Sequence, residues 1–189
     1  MSDLESRLSR LAVPANARPP VLPTADVAYA LHDTPIGTLL LAVAGGRVVA
    51  SSFGDEETLT TRLARAISPR VLRQPGALDD VRRQLDEYLD GRRHSFDLQV
   101  DLTLASPFQR LVLSDLPLHT SYGHTTTYGQ LAGEIHKPKA ARAVGTALGA
   151  NPLCVVLPCH RVIGANGNLT GYAGGLEAKR FLLNLESKS

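Results

Sequence analysis

Residues 158–161 read Pro-Cys-His-Arg, and this short run holds the side chains best suited to covalent chemistry. Cysteine is the strongest nucleophile among side chains once ionised, and an imidazole or a cation nearby raises its thiolate fraction. His160 and Arg161 supply one of each. The preceding stretch, Leu153 to Leu157, is apolar and strand-like, and Pro158, which has no amide donor, ends it and leaves Cys159 at the edge of a core. Adjacent residues of a strand point to opposite faces. Adjacency of Cys159 and His160 therefore implies a turn at Pro158, or a water between thiol and imidazole, rather than direct contact. A buried structural thiol is the competing reading of any Cys-His pair, and it is the reading adopted for Cys154 inside the apolar run.

Cys154 and Cys159 are the only cysteines. If the stretch between them is extended, five residues span roughly 16 Å, far beyond the limit of about 7 Å for a disulfide, so two free thiols are expected. Two cysteines so close, with no paired histidines at motif distance, do not make a closed zinc site, and neither metal nor cofactor is expected.

The elements that position this run can be read from pattern and composition. The chain has 189 residues, of which 43% are hydrophobic and 20% charged, enough to bury a sizeable core. No apolar run approaches the roughly 18 residues of a membrane span, and the charged start MSDLESRLSRL does not resemble a signal peptide, so a cytoplasmic protein is expected. Residues 1–103 carry 12 Arg against 14 Asp plus Glu, whereas residues 104–189 carry 4 Lys and 4 Arg against 3 Glu and 1 Asp. The excess positive charge lies in the second half, which suits an anionic partner and equally an ordinary solvated surface.

The expected architecture is α+β: a small N-terminal sheet-plus-helix domain, then a mainly helical C-terminal domain containing a helix-turn-helix. Residues 1–23, with Leu4, Leu8 and Leu11 ahead of a Pro-rich segment, read as an extension. Residues 24–103 read as the α+β domain. Its strands flank Pro35-Ile36-Gly37 and Gly45-Gly46 as antiparallel hairpins require, helices cover 56–67 and 77–91, and a further strand alternates through Phe96, Leu98, Val100 and Leu102. Residues 104–189 read as the helical domain. Ser106-Pro107 opens a helix, Thr127 and Gln130 form a capping box for a short helix to about Ile135, and Pro138 precedes an Ala-rich helix over 139–150. A final amphipathic helix covers Leu176 to Leu185.

The run PCHRVI at 158–163 resembles the active-site signature of the O6-alkylguanine-DNA alkyltransferases, also known as methylated-DNA–protein-cysteine methyltransferases. TTTYGQLA, KAARAVGTALGANP and LTGYAGGLEAKRFLLNLE resemble the family's corresponding segments in order and spacing, so the likeness covers about Ser106 to Glu186. The N-terminal half is similar only in length and hairpin pattern, notably TPIGTLLLA and FDLQVDL. The resemblance implies that Cys159 accepts an alkyl group from O6 of guanine irreversibly, in a single turnover. His160 would draw the thiol proton through a water, Glu186 would polarise the imidazole, and Asn151 would order the turn. Tyr128 would give a proton or hydrogen bond to the departing guanine. It also implies that the base is flipped from a double-stranded DNA partner, that the second motif helix enters the minor groove, and that Arg142 fills the space left by the base. Thr127, Ala140, Ala141 and Gly145 would lie against the DNA, and Val162, Tyr172, Ala173 and Gly174 would line the base pocket. O4-alkylthymine is a further candidate substrate, and a monomer is expected. His124 departs from the family pattern, replacing an acidic residue.

Three other readings remain open from the residues themselves: a module that binds alkylated bases without chemistry, a cysteine hydrolase, and a sequence-reading helix-turn-helix regulator. The hydrolase would need an oxyanion hole that no motif signals.

Overall fold

Turn-forming residues set the register of the sheet. The computed structural model describes residues 25–187, so the expected extension at 1–23 lies outside the described residues. Strands β1 (Val27–Thr34) and β2 (Gly37–Ala44) pair antiparallel around Pro35-Ile36. Strand β2 turns into β3 (Arg47–Ser52) through Gly45 and Gly46, both with positive φ (54° and 75°), a conformation that side chains with a Cβ resist. A short β4 (Val71–Arg73) runs parallel to β1 on its other side, giving the order β3-β2-β1-β4.

Strand β2 is apolar on both faces because both are covered. Leu40 and Ala42 join Val49, Leu59 and Leu63 beneath helix α1 (Glu56–Ala66). Leu39 and Leu41 point the other way, into a core shared by helix α2 (Asp79–Leu89) and the C-terminal half, including Val112, Leu116, Leu131, Leu148 and Leu153. Each buried leucine contributes roughly 1.5–3 kcal/mol, so this second core is what joins the two halves.

The strand expected through Phe96 to Leu102 does not form. Its alternation is real, with Phe96, Leu98, Val100 and Leu102 half-buried against the shared core, but only one bridge, Val100 to Val48, links it to the sheet. That bridge takes two backbone hydrogen bonds, Val48 N to Gln99 O (2.8 Å) and Asp101 N to Val48 O (2.9 Å), while a side chain takes Asp97 N, which donates to Gln84 Oε1 (2.8 Å).

The C-terminal half is mainly helical, as expected. Ser106 caps α3 (Pro107–His119), and Thr127 caps α4 (Tyr128–Glu134) through a box in which Gln130 N donates to Thr127 Oγ1 and Thr127 N to Gln130 Oε1. The chain turns at His136 (φ 58°) into α5 (Ala141–Gly149), which begins two residues later than the sequence suggested, leaving Ala140 as its cap. The last helix, α6, spans Gly175–Glu186. Two-residue strands β5 (Thr126–Thr127) and β6 (Val162–Ile163) pair in parallel and tie the start of the helix-turn-helix to the residues after Cys159.

Candidate active site

The apolar run before Cys159 is a turn, not the extended strand expected of it. Leu157 N donates to Leu153 O (2.8 Å), and Val155 adopts φ 71°, a left-handed conformation that costs a β-branched residue roughly 1–3 kcal/mol. Asn151 holds the turn from within: its Oδ1 accepts from Leu153 N (2.9 Å), and its Nδ2 donates to Leu157 O (3.2 Å) and Cys159 Sγ (3.1 Å). The sheet holds it from outside, with Ser51 N donating to Pro152 O (2.8 Å) and Ser51 Oγ to Cys154 O (2.9 Å).

This folding-back brings the two cysteines together, contrary to the separation expected for an extended segment. Both thiols are free and buried, and Cys154 Sγ donates to Asn151 O (3.4 Å) beside Cys159. The neighbouring Cys154 sulfur holds the Cys159 thiol below the usual cysteine range, burial opposes this, and the Asn151 amide and the charge of Lys179 reinforce it. Cys154 is pushed up by its neighbour and by burial, and the Asn151 amide is aimed at Cys159 Sγ rather than at Cys154.

Cys159 to Arg161 form a 3-10 turn that sends His160 into the interior, where it is fully buried. His160 Nε2 lies 2.6 Å from Glu186 Oε1 at the end of α6, so the ring carries its proton on Nε2. Nδ1 is buried with no protein partner, which leaves its lone pair available to a proton. Burial keeps His160 below its ordinary pKa, outweighing the pull of Glu186, and the ring is neutral near pH 7.

Glu186 is 2% exposed yet ionised. Burial would raise its pKa, but hydrogen bonds from His160, Arg161 and Tyr88 outweigh this and hold it at about 2. Arg161 Nε donates to Oε2 (2.8 Å) and Gly123 N does so from the other side (3.1 Å), while Arg161 Nη1 donates to Thr120 O (2.6 Å). Arg161 is thus committed to Glu186 and the backbone rather than to the thiol.

A cavity of about 840 Å³ opens beside this core, within the range of small-molecule sites. Tyr128, Ala141, Arg142, Gly145, Tyr172 and Ala173 all line it. Thr170 Oγ1 donates to the Tyr128 hydroxyl (2.9 Å), leaving the phenol proton free to point elsewhere. The Tyr128 ring packs on Gly145, where an added Cβ would meet it at 3.6 Å.

Two family models match nearly all the described chain: the 6-O-methylguanine DNA methyltransferase ribonuclease-like domain over residues 27–102, and the DNA-binding domain of the same methyltransferase over residues 107–188. The methylated-DNA–protein-cysteine methyltransferase of Methanosarcina acetivorans is 40% identical over 167 residues, covering 84% of this chain and 97% of its own. A Mycobacterium tuberculosis OGT crystallised in complex with DNA is 41% identical, with a TM-score of 0.74 over 85% of this chain and 93% of its own. An O6-methylguanine-DNA methyltransferase from Pyrococcus kodakaraensis is 28% identical, with a TM-score of 0.60 over 85% of this chain and 98% of its own. The chain belongs to the 6-O-methylguanine DNA methyltransferase family.

Within this methyltransferase fold, Asn151 is hydrogen-bonded to Cys159 and, one residue on, His160 to Glu186, while Tyr128, Arg142, Tyr172 and Ala173 line the neighbouring cavity. Four of the residues assigned by resemblance to the DNA face or the base pocket are not part of that lining. Val162 is fully buried, and its carbonyl accepts from Lys179 Nζ (2.7 Å). Gly174 lies against Phe53 of the N-terminal half, and a Cβ there would come within 2.6 Å of that ring. The Thr127 hydroxyl is taken up in capping α4, and Ala140 stands just outside α5.

Two participants were not singled out from sequence. Lys179 is fully buried, its Nζ donating to Val162 O and Thr170 O (3.1 Å), and burial depresses its pKa while the Cys159 thiolate opposes the shift. The sequence signal was present: Lys179, Leu182 and Glu186 share one helical face, so a lysine on a buried stripe needed partners. The other is Tyr88. Among the described residues no group of three or more His, Cys, Asp or Glu could hold a metal, and no helix is long and apolar enough to cross a membrane.

Proposed function

We propose that this methyltransferase reverses alkylation damage directly, moving the alkyl group from O6 of guanine in double-stranded DNA onto Cys159 Sγ. The observation that carries this reading is a buried thiol with lowered pKa, held by Asn151 beside a neutral His160 whose Nδ1 is unpartnered and whose Nε2 is bound to an ionised Glu186. The thiol proton passes through a water to Nδ1. The thiolate attacks the alkyl carbon, a C–S bond forms, the C–O6 bond breaks, and its electron pair leaves on guanine, which takes a hydrogen bond or proton from Tyr128. The thioether is stable, so each molecule reacts once.

A base within the helix cannot reach a buried thiol, so the nucleotide flips into the cavity between Tyr128 and Tyr172. Helix α5 enters the minor groove, and Arg142, exposed on its first turn, fills the gap in the stack. O4-alkylthymine offers the same leaving-group chemistry and is a second substrate on this reading. The protein works as a monomer in the cytoplasm.

The test is intact-mass measurement after incubation with a duplex bearing one O6-methylguanine, beside Cys159→Ala. A stoichiometric gain of one methyl on Cys159, absent from the variant, is expected. Tight lesion binding without a mass change would replace transfer by a binding-only role.

A further inference from the structure

We propose that Tyr88, contributed by the N-terminal half, is a positioning residue for the transfer reaction: its hydroxyl fixes the Glu186 carboxylate that sets the tautomer and basicity of His160. The proposal deepens the transfer reading above and rests on it for its purpose. Tyr88 lies in the last turn of α2 and is 1% exposed. Its ring stacks on Phe96 (centroids 4.9 Å apart) and meets Tyr122 edge-on (5.9 Å), so the hydroxyl is aimed by packing.

That hydroxyl donates to Glu186 Oε1, the same oxygen that accepts from His160 Nε2, and it stands 3.4 Å from Nε2 itself. Arg161 Nη2 donates to the phenol oxygen (3.4 Å), so the phenol's donor role falls to Glu186. Burial, with the charge of Glu186 adding to it, raises the phenol pKa, which keeps the group a donor near neutral pH.

Glu186 thereby has two donors on each oxygen: Tyr88 and His160 on Oε1, Arg161 and Gly123 on Oε2. Removing one donor in a dry site concentrates negative charge on the oxygen facing the imidazole. The carboxylate then stabilises imidazolium more strongly, and His160 remains protonated to higher pH. A protonated His160 has no lone pair on Nδ1 and cannot accept the thiol proton. The N-terminal half therefore supplies part of the proton-transfer machinery as well as a wall for the core.

The test is a nitrogen-15 NMR titration of the His160 ring in wild type and Tyr88→Phe, which keeps the ring and deletes only the hydroxyl. The expected result is an Nε2–H tautomer in wild type and a proton-dissociation constant about tenfold smaller in the variant, the scale of one hydrogen bond to a charged group. The low-pH limb of the methyl-transfer profile should move upward with it. A His160 titration and tautomer unchanged in Tyr88→Phe would overturn the proposal, even if thermal stability falls, because packing alone does not move this titration. Should Tyr88→Phe fail to fold, 3-fluorotyrosine placed at position 88 is a stronger donor and should move the titration to lower pH, and no movement overturns the proposal. The titration needs no DNA. Absence of methyl uptake by the wild-type sample in the mass measurement would count against the transfer reading separately.

Discussion

Replacing Asn151 by alanine separates holding the turn from activating the thiol. The side chain is 4% exposed and makes three hydrogen bonds. Truncation strands the buried Leu153 N–H, costing about 1–3 kcal/mol, and removes one of two donors to Leu157 O, which keeps Cys159 N, costing about 0.5–1.5 kcal/mol. Asn151→Ala should therefore lower unfolding free energy by about 1.5–4.5 kcal/mol, read by urea denaturation. The third bond, to Cys159 Sγ, acts on chemistry. A hydrogen bond to a charged acceptor contributes about 1.5–3 kcal/mol, so its loss should cut the thiol's proton-dissociation constant by roughly 10–100-fold, since 1.4 kcal/mol is a factor of ten. The assay is the pH dependence of iodoacetamide alkylation at Cys159, followed by intact mass at temperatures where the variant is folded. A reactivity profile that superimposes on wild type, despite the predicted loss of stability, would show that Asn151 holds the turn without activating the thiol.

Further expectations follow the same geometry. Cys154→Ser should preserve the fold but raise the pH at which Cys159 becomes reactive, measured by the same alkylation profile, because the Cys154 sulfur beside the thiolate is exchanged for an oxygen on a shorter bond that reaches less far. Arg142→Ala should slow methyl transfer from duplex DNA about tenfold or more while leaving reaction with free O6-benzylguanine nearly unchanged; equal losses on both substrates would remove Arg142 from the DNA-handling step. Gly174→Ala, which drives a Cβ toward the Phe53 ring, should slow transfer, and Phe53→Leu in the same chain should restore much of it, as single-turnover rates would reveal. In acid, stability should fall in two stages. His160, whose folded pKa lies below its unfolded value near 6.5, withdraws stability as pH drops below that value, and Glu186 withdraws more as pH drops from about 4.5 toward 2. An acid-unfolding series on Glu186→Gln should lose the second stage.

Local signals carried much of this fold. Thr127 and Gln130 announced the start of α4, Gly45-Gly46 the second hairpin, and the stripe Leu78, Val81, Leu85, Leu89 the buried face of α2, because caps, tight turns and amphipathic faces depend on neighbours a few residues away. Failures came where distant partners decide. Residues 96–102 alternate like a strand, but they meet the sheet only at Val48, and the Gln84 side chain takes the Asp97 amide. Residues 153–157 are apolar like a strand, but Asn151 folds them into a turn and Ser51 clamps it from the sheet. For the site, motif resemblance supplied Cys159, His160, Asn151 and Glu186, whereas the burial of Lys179 and the reach of Tyr88 across the shared core are tertiary facts. Tyr88 could have been suspected, since a phenol on the apolar stripe of α2 needs a hydrogen-bond partner inside.

The two-residue pairing of β5 with β6 fixes a length. Thr126 and Thr127 begin the helix-turn-helix, Val162 and Ile163 follow Cys159, and their parallel ladder ties the helix pair closely to the residues beside the sulfur. A protein that closed around its substrate could tune this reach for each lesion. On the proposed mode of DNA binding this ladder acts as a gauge between helix pair and thiol, so discrimination among alkyl groups should fall to the shape of the cavity wall at Tyr128, Gly145 and Tyr172. A larger adduct would have to be accommodated by replacing those side chains, because the gauge itself cannot be reset without breaking the strand pair that defines it.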